Sequence, residues 1–340
     1  YSSAASDVYK RQYQSMLINA GETKNVGVEL TVNTVNFSTK KFSWNTTLTL
    51  SHNKNSVKAL TGEAVQLYEA KFGFNQNTHR IAVGEPLGQF YGYITEGLYQ
   101  VDDFNYDAST QTYTLKDGIP YHGDKGQIRP GMWKFKNLTG DDNVIDENDK
   151  TVIGNAQPKF YGGLNNSFTY KGFDLSIFLT FSYGNEVLNA TKLVTSKVGS
   201  LNYNALDVMN SSNRWMTINS DGQKVTDPGE LAALNVGKTV AAYHDAQQGD
   251  NYIHSWAVED ASYLKLSNVT LGYTFPKNLI ARVGLKNLRL YATGNNLLTW
   301  TKYSGFDPEV STMKSGLTPG VDFGAYPLSR SFIFGLNVAF

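Results

Sequence analysis

Long stretches in which every second residue is apolar dominate this chain, and a run of that period has few ways to fold. Successive side chains of a β-strand point to opposite faces, so the alternation describes strands with one apolar and one polar face. In 26–36, Val26, Val28, Leu30 and Val32 oppose Glu29, Thr31 and Asn33. In 41–51, Phe42, Trp44, Leu48 and Leu50 alternate with Lys41, Ser43, Asn45, Thr47 and Thr49. In 158–171, Phe160, Leu164, Phe168 and Tyr170 oppose Asn165, Ser167 and Thr169. In 172–184, Phe173, Leu175, Ile177, Leu179, Phe181 and Tyr183 oppose Asp174, Ser176, Thr180 and Ser182. The chain ends on the same pattern, with Phe332, Phe334, Leu336, Val338 and Phe340 set against Ile333, Gly335, Asn337 and Ala339. Two segments are less regular. Residues 286–298 carry Leu288, Leu290 and Ala292 against Asn287, Arg289 and Thr293. Residues 262–275 change face between Leu264 and Leu266 and the later Val269, Leu271, Tyr273 and Phe275, which predicts a β-bulge near Ser267-Asn268.

Strand length distinguishes the two environments such strands can occupy. Strands of soluble proteins run about 5–6 residues; these run about twice that, the length a tilted strand needs to cross hydrocarbon. The polar faces are rich in Asn, Ser, Thr and Asp, which suits a water-filled lumen better than a packed core. Aromatic residues collect toward strand ends (Trp44, Phe168, Tyr170, Phe173, Tyr183, Phe275, Trp300), as interfacial girdles do. The competing reading is a large soluble β-sandwich or propeller, whose faces seldom sustain such long alternation. No stretch approaches about 18 consecutive apolar residues, so a transmembrane helix is not expected. With 30 basic and 30 acidic residues the chain is formally neutral, and it lacks the broad basic surface that nucleic acid requires. The absence of cysteine excludes a disulfide framework, a thiolate metal site and a Cys nucleophile, and it suits passage through an oxidising periplasm.

Short connections at 38–40, 171–172 and 276–286 alternate with long ones at 55–157, 185–261 and 299–327. Barrels of the outer membrane have this asymmetry, with short periplasmic turns and long extracellular loops. Counting back from a periplasmic Phe340 gives seven membrane strands, which puts the extended piece 88–100 in an extracellular loop. Seven strands would leave two unpaired edges in lipid, so further strands are expected from sequence upstream. The opening Tyr1-Ser2-Ser3-Ala4-Ala5 has no apolar export core, and residues 1–12 read as an extraneous, adaptor-derived leader.

Several blocks resemble the C-terminal third of the SusC/RagA-type TonB-dependent outer-membrane transporters. They are Gly84-Glu85-Pro86-Leu87-Gly88-Gln89-Phe90-Tyr91-Gly92-Tyr93 with Gly97-Leu98-Tyr99-Gln100, then 146–155 and Pro158-Lys159-Phe160-Tyr161-Gly162-Gly163. Later come Val258-Glu259-Asp260-Ala261-Ser262-Tyr263-Leu264-Lys265-Leu266, Leu271-Gly272-Tyr273, Ala292-Thr293-Gly294-Asn295-Asn296-Leu297 and Gly305-Phe306-Asp307-Pro308-Glu309. The blocks follow the family's order across about 20–340. The resemblance implies an all-β fold: the C-terminal segment of a large antiparallel transmembrane barrel of about 22 strands, plugged by an N-terminal domain. It further implies import of glycans, oligosaccharides or peptides, with a SusD-like surface lipoprotein and TonB as partners. The plug and the TonB-contacting segment are not in this sequence. A passive porin, an adhesin or a soluble carbohydrate-binding β-protein are the alternatives.

The resemblance also points to two sites. Members of this class have their last strand read by the barrel-assembly machinery, which here would use Phe332, Phe334, Leu336, Val338 and Phe340. Many have an EF-hand-like loop near 137–149. Here Asp142, Asp146 and Asp149 fall at spacings that suit Ca2+, a hard cation taking oxygen ligands, while Asn137 stands where an acid is expected. The plain alternative is an acidic, hydrogen-bonded turn. The histidines His52, His79, His122, His244 and His254 are scattered with no pair at metal spacing, and no enzymatic activity is expected. The glycines from Gly84 to Gly92 are not followed by a helix pattern, which argues against a phosphate cradle. Tyr91, Tyr93, Tyr99, Trp133, Trp215, Tyr243 and Trp256 lie in the long connections, where they could stack on sugar rings or pack against one another.

Overall fold

The structure, a computed structural model, describes residues 21–62, 64–69, 76–140, 142–196, 204–242, 252–312 and 315–340. Residues 1–12, Tyr243 and His244 therefore lie outside the described residues. One antiparallel sheet organises the chain. Its strands are β1 (Gly21–Ser38), β2 (Phe42–Leu60), β3 (Phe160–Tyr170), β4 (Phe173–Tyr183), β5 (Tyr263–Thr274), β6 (Asn287–Thr301) and β7 (Ser331–Ala339). They pair in chain order, each with the next. The three short connections gather at one end of the sheet and the three long ones at the other.

The strands are those that the alternation marks, but β1 and β2 extend well past it. Their ladder continues from Val28↔His52 through Asn25↔Asn55 to Gly21↔Leu60, so β2 runs nine residues beyond the expected limit at 51. Alternation records only where one face must be apolar; backbone pairing continues through Asn53, Lys54 and Asn55 because both faces there are polar. The predicted bulge is present. Ser267 is skipped in the pairing of β5 with β4 and again with β6, where Asn296 and Leu297 make the compensating step and Asn296 takes φ 52°. Between β3 and β4 the connection is only Lys171 and Gly172, both at positive φ, the two-residue turn whose twist matches the flanking strands.

The outward face is apolar and uncovered: Val28, Leu30, Leu271, Leu290, Phe332, Phe334 and Leu336 are all exposed, Phe334 at 81%. A contiguous apolar patch of this extent on a soluble surface is rare. Aromatic collars bound it. At the short-turn end Trp44 stacks on Phe168 at 5.7 Å, Phe37 meets Phe42 at 5.8 Å, and Phe173 meets Tyr273 at 4.5 Å. At the other end Phe160 stacks on Tyr183 at 4.9 Å. The few polar groups between the collars satisfy one another: Trp44 Nε1 and Thr46 Oγ1 both donate to Asn166 Oδ1, at 3.0 and 2.7 Å.

Among the described residues the outer edges of β1 and β7 have no partner strand, so the sheet is open. The extended piece 88–100 adds no eighth member to it. Gln89–Gly92 and Thr95–Leu98 instead join small sheets built by the long connections. Those connections fold into one cap with its own interior. Phe90 packs with Leu188, Leu193, Ile253, Ala257 and Val321, drawing on all three connections. Tyr93, Trp133, Phe135, Trp215 and Leu231 form a second cluster.

Gly335 illustrates how closely the wall is fitted. It lies opposite Tyr291 of β6, and a Cβ there would approach the Tyr291 ring to 2.1 Å. The ring covers the bare backbone of β7, as aromatic side chains do for strand glycines. Gly335→Val should destabilise the sheet by about 1–3 kcal/mol through overpacking. Thermal unfolding in detergent should show the loss, and Tyr291→Ala in the same chain should recover part of it.

Candidate functional site

The face opposite the apolar band is a polar wall built from cross-strand pairs. Thr180 meets Ser267 at 2.7 Å, Thr270 meets Thr293 at 2.9 Å, and Asn268 Nδ2 donates to Asn295 Oδ1 at 2.7 Å. Its sharpest element spans three strands. Arg289 of β6 grips Asp174 of β4 with two bonds, Nε to Oδ1 at 3.0 Å and Nη2 to Oδ2 at 2.6 Å. Gly272 of β5 lies between them, and a Cβ there would come within 2.6 Å of the pair. The glycine lets a fork-and-carboxylate pair reach across an intervening strand. Nothing in the local alternation of β4 or β6 reveals this partner; only the register through Asp174↔Gly272 and Gly272↔Tyr291 does.

Where wall meets cap, Glu309 is the principal tie. Its carboxylate accepts from the Tyr263 hydroxyl at 2.6 Å and pairs with the buried Lys265 ammonium, both on β5. The segment Gly305–Glu309 thus folds back onto the wall. A cleft of about 420 Å³ opens at this seam, lined by Tyr161, Ser182 and Tyr263 of the wall and by Val187, Pro308 and Glu309 of the cap. Within the cap, Glu259 joins two of the connections, holding Lys192 at 3.0 Å and accepting from Ser304 N and Oγ at 2.9 Å each. Burial alone would raise the Glu259 carboxyl, but the Ser304 and Lys192 donors keep it below its ordinary range. Lys192 also stands 4.1 Å over the Trp256 ring, where the cation meets the π face.

The acidic turn is a self-contained hydrogen-bond motif. Asp149 is buried, and its carboxylate accepts from the backbone of Leu138 (2.6 Å), Thr139 (2.8 Å) and Asp146 (2.8 Å). Burial pushes this carboxyl up; the three backbone donors outweigh burial and hold it below its ordinary range. Asp142 accepts from Val144 N at 3.1 Å and Asp146 from Asn148 N at 2.7 Å. Asn143 takes a positive-φ turn position, φ 57°. The three aspartates share the turn, yet each binds its backbone, and among the described residues no group of three His, Asp or Glu is arranged to hold a metal.

Tyr93, Tyr99, Trp133 and Trp215 of the connections pack into the cap, whereas Tyr91 borders an open cleft. Tyr99, Trp133 and Trp215 are buried, and Tyr93 stacks on Phe135 at 5.2 Å. His122 is held among Tyr99, Phe135 and Tyr252, with ring centroids at 6.4, 5.0 and 5.5 Å. His79 belongs to the strand Asn77–Ala82 of a four-stranded sheet in the cap, its Nε2 donating to Pro319 O at 2.9 Å and its Nδ1 beside Thr78 Oγ1 at 2.8 Å.

Burial lowers both histidines to about 4, for His79 against the opposing pull of the Pro319 carbonyl. The unfolded groups titrate near 6.5, so between these values the unfolded chain binds more protons and stability rises with pH. The cap should therefore be fully stable above about pH 6.5 and lose stability progressively toward pH 4. Amide exchange across 88–135 should quicken over that interval, and His122→Phe should flatten the dependence. For the acidic turn, Asp149→Asn should lower the unfolding temperature equally with and without calcium. Stabilisation by calcium that Asp142→Asn removes would instead assign a cation to the turn.

Comparison with known proteins places this architecture. No protein-family model matches the chain. The TonB-dependent receptor P3 of Formosa agariphila is 33% identical over 333 residues, covering 96% of this chain and 30% of that protein. The TonB-dependent receptor SusC of Bacteroides thetaiotaomicron is 28% identical over 336 residues, again 96% of this chain and 27% of that protein. The structure of the RagAB peptide transporter superposes with a TM-score of 0.65 at 20% identity, covering 95% of this chain and 30% of that one. The chain thus spans less than a third of the length of these relatives. With the match running through wall and cap alike, the chain is identified as part of a SusC/RagA-type TonB-dependent receptor.

Proposed function

We propose that this chain is the C-terminal wall and outer cap of an outer-membrane transporter that imports glycans, oligosaccharides or peptides. The observation that carries the reading is the open sheet itself. An uncovered apolar face between two aromatic collars, backed by a polar wall, suits a lipid-facing channel segment, and its sequence relatives are TonB-dependent receptors. In the whole protein, upstream strands would complete a barrel of about 22 strands around a plug. The connections 55–157, 185–261 and 299–327 would then face the outside, where a SusD-like lipoprotein closes over them, and TonB would act from the periplasm through the N-terminal part. The apolar row Phe332, Phe334, Leu336, Val338 and Phe340, on a strand whose outer side has no partner among the described residues, would serve the barrel-assembly machinery as its recognition element.

Disruption of the intact gene tests this reading. The strain should lose growth on one class of glycan or peptide while keeping growth on the corresponding monomers, and loss of TonB should reproduce the defect. The same receptor lacking Phe340 should accumulate less folded barrel in the outer membrane. Recovery of the whole protein in the soluble fraction without detergent would overturn the proposal, and uptake that continues without TonB would favour a passive porin.

A further inference from the structure

The three short connections between wall strands, 39–41, 171–172 and 275–286, carry six basic side chains and no acidic one: Lys40, Lys41, Lys171, Lys277, Arg282 and Lys286. All six are exposed, and none enters an ion pair among the described residues. Asp174, the nearest acid along the chain, is already held by two bonds from Arg289. Backbone bonds set the connections side by side: Lys171 N donates to Lys41 O at 3.3 Å, and Thr274 N to Gly172 O at 2.8 Å. The basic groups therefore form a belt along one end of the sheet, just beyond the collar of Trp44, Phe168, Phe173 and Tyr273. Two observations turn this belt toward the apolar face. The Lys171 ammonium stands 5.2 Å over the ring of Tyr170, which pairs with Phe42 in the same row as Trp44 and Phe168. In the connection 275–286, Leu279 and Val283 lie about one helical turn apart, exposed at 53% and 70%, while Ile280 is buried.

We propose that this belt holds the phosphate groups of anionic phospholipids, in the membrane leaflet on the short-turn side. The proposal rests on the reading of the wall as lipid-facing. A bilayer whose hydrocarbon ends at the aromatic collar puts its headgroups at the level of the three connections. Lysine and arginine stems at that level run along apolar and aromatic surface while their charged ends reach the phosphates. Cations without a protein counter-ion select lipids of net negative charge, since a zwitterionic headgroup brings a positive charge with each phosphate. A soluble anionic partner would meet the same charges, but it gives Leu279 and Val283 no reason to stand bare among them. Beside a bilayer those two side chains dip below the headgroups, as the apolar face of an interfacial helix does.

The full-length receptor, reconstituted in phosphatidylcholine vesicles with a minor share of brominated lipid, provides the test. Trp44 sits in the collar next to the belt, and its emission is isolated by difference from Trp44→Phe. Brominated phosphatidylglycerol should quench it more than brominated phosphatidylcholine, corresponding to at least about fivefold enrichment, the scale of one lysine beside an anionic surface. Lys40→Gln, Lys41→Gln and Lys171→Gln together should abolish the difference, and arginine at the same three positions should keep it. High salt should shrink it. Equal quenching by the two lipids, or a preference that survives the triple glutamine change, would overturn the proposal and leave the lipid-facing wall standing. Quenching by neither lipid would overturn both, since Trp44 would then not meet the bilayer.

Discussion

Backbone pairing is the constraint on which the rest of this structure depends. In a medium without water, an unpaired N–H or C=O costs several kcal/mol, so strands that face lipid must each have two neighbours. Six of the interfaces here meet that demand within the chain, and the outer sides of β1 and β7 leave it to be met elsewhere. The requirement also explains why irregularities come in matched sets. Ser267 bulges out of β5, and β6 answers at Asn296 and Leu297, so both neighbouring ladders resume in register beyond the step.

Once the ladder is set, the two faces divide the work. The apolar face needs no packing partner from the protein, so its side chains stay exposed, and aromatic pairs gather at its two ends. The polar face is cross-linked by hydroxyl and amide pairs and by the Arg289–Asp174 fork, which Gly272 makes room for. Cap and wall are different kinds of object. The cap buries Phe90, Tyr99, Phe135, Trp215 and Leu188 as a soluble domain would, and it touches the wall through directed ties such as Glu309 with Tyr263 and Lys265.

Much of the wall was legible because alternation is a local signal: β3, β4 and β7 begin and end within two residues of the expected limits, and the bulge lies where the pattern changed face. The outer halves of β1 and β2 were not legible, since strands with two polar faces have no period to detect. Nor was the cap's interior. Its cores join residues such as Phe90, Leu188 and Val321 that are far apart in the chain, and its sheets are too short for periodicity. One cap element did leave a mark that went unread. Asp227-Pro228 precedes a short helix, Pro228–Leu234, with Asp227 accepting from Gly229 N and Glu230 N, which is the signature of a helix start. Spacing brings Asp142, Asp146 and Asp149 into one turn, but it does not reveal that the Asp149 oxygens are already engaged by backbone N–H groups.

The extension of β1 and β2 past the apolar band has a mechanical consequence. Val57 on that extension accepts from Gly84 N and donates to Glu85 O, each at 2.9 Å, so the cap's four-stranded sheet hangs on the far end of a two-stranded strut. A force on the cap directed along the strut strains many ladder bonds together, whereas a sideways force opens them one after another from the tip. The strut is therefore stiff along the sheet and compliant across it. A lid or partner pressing on this side of the cap would meet a hinge that yields in one direction only.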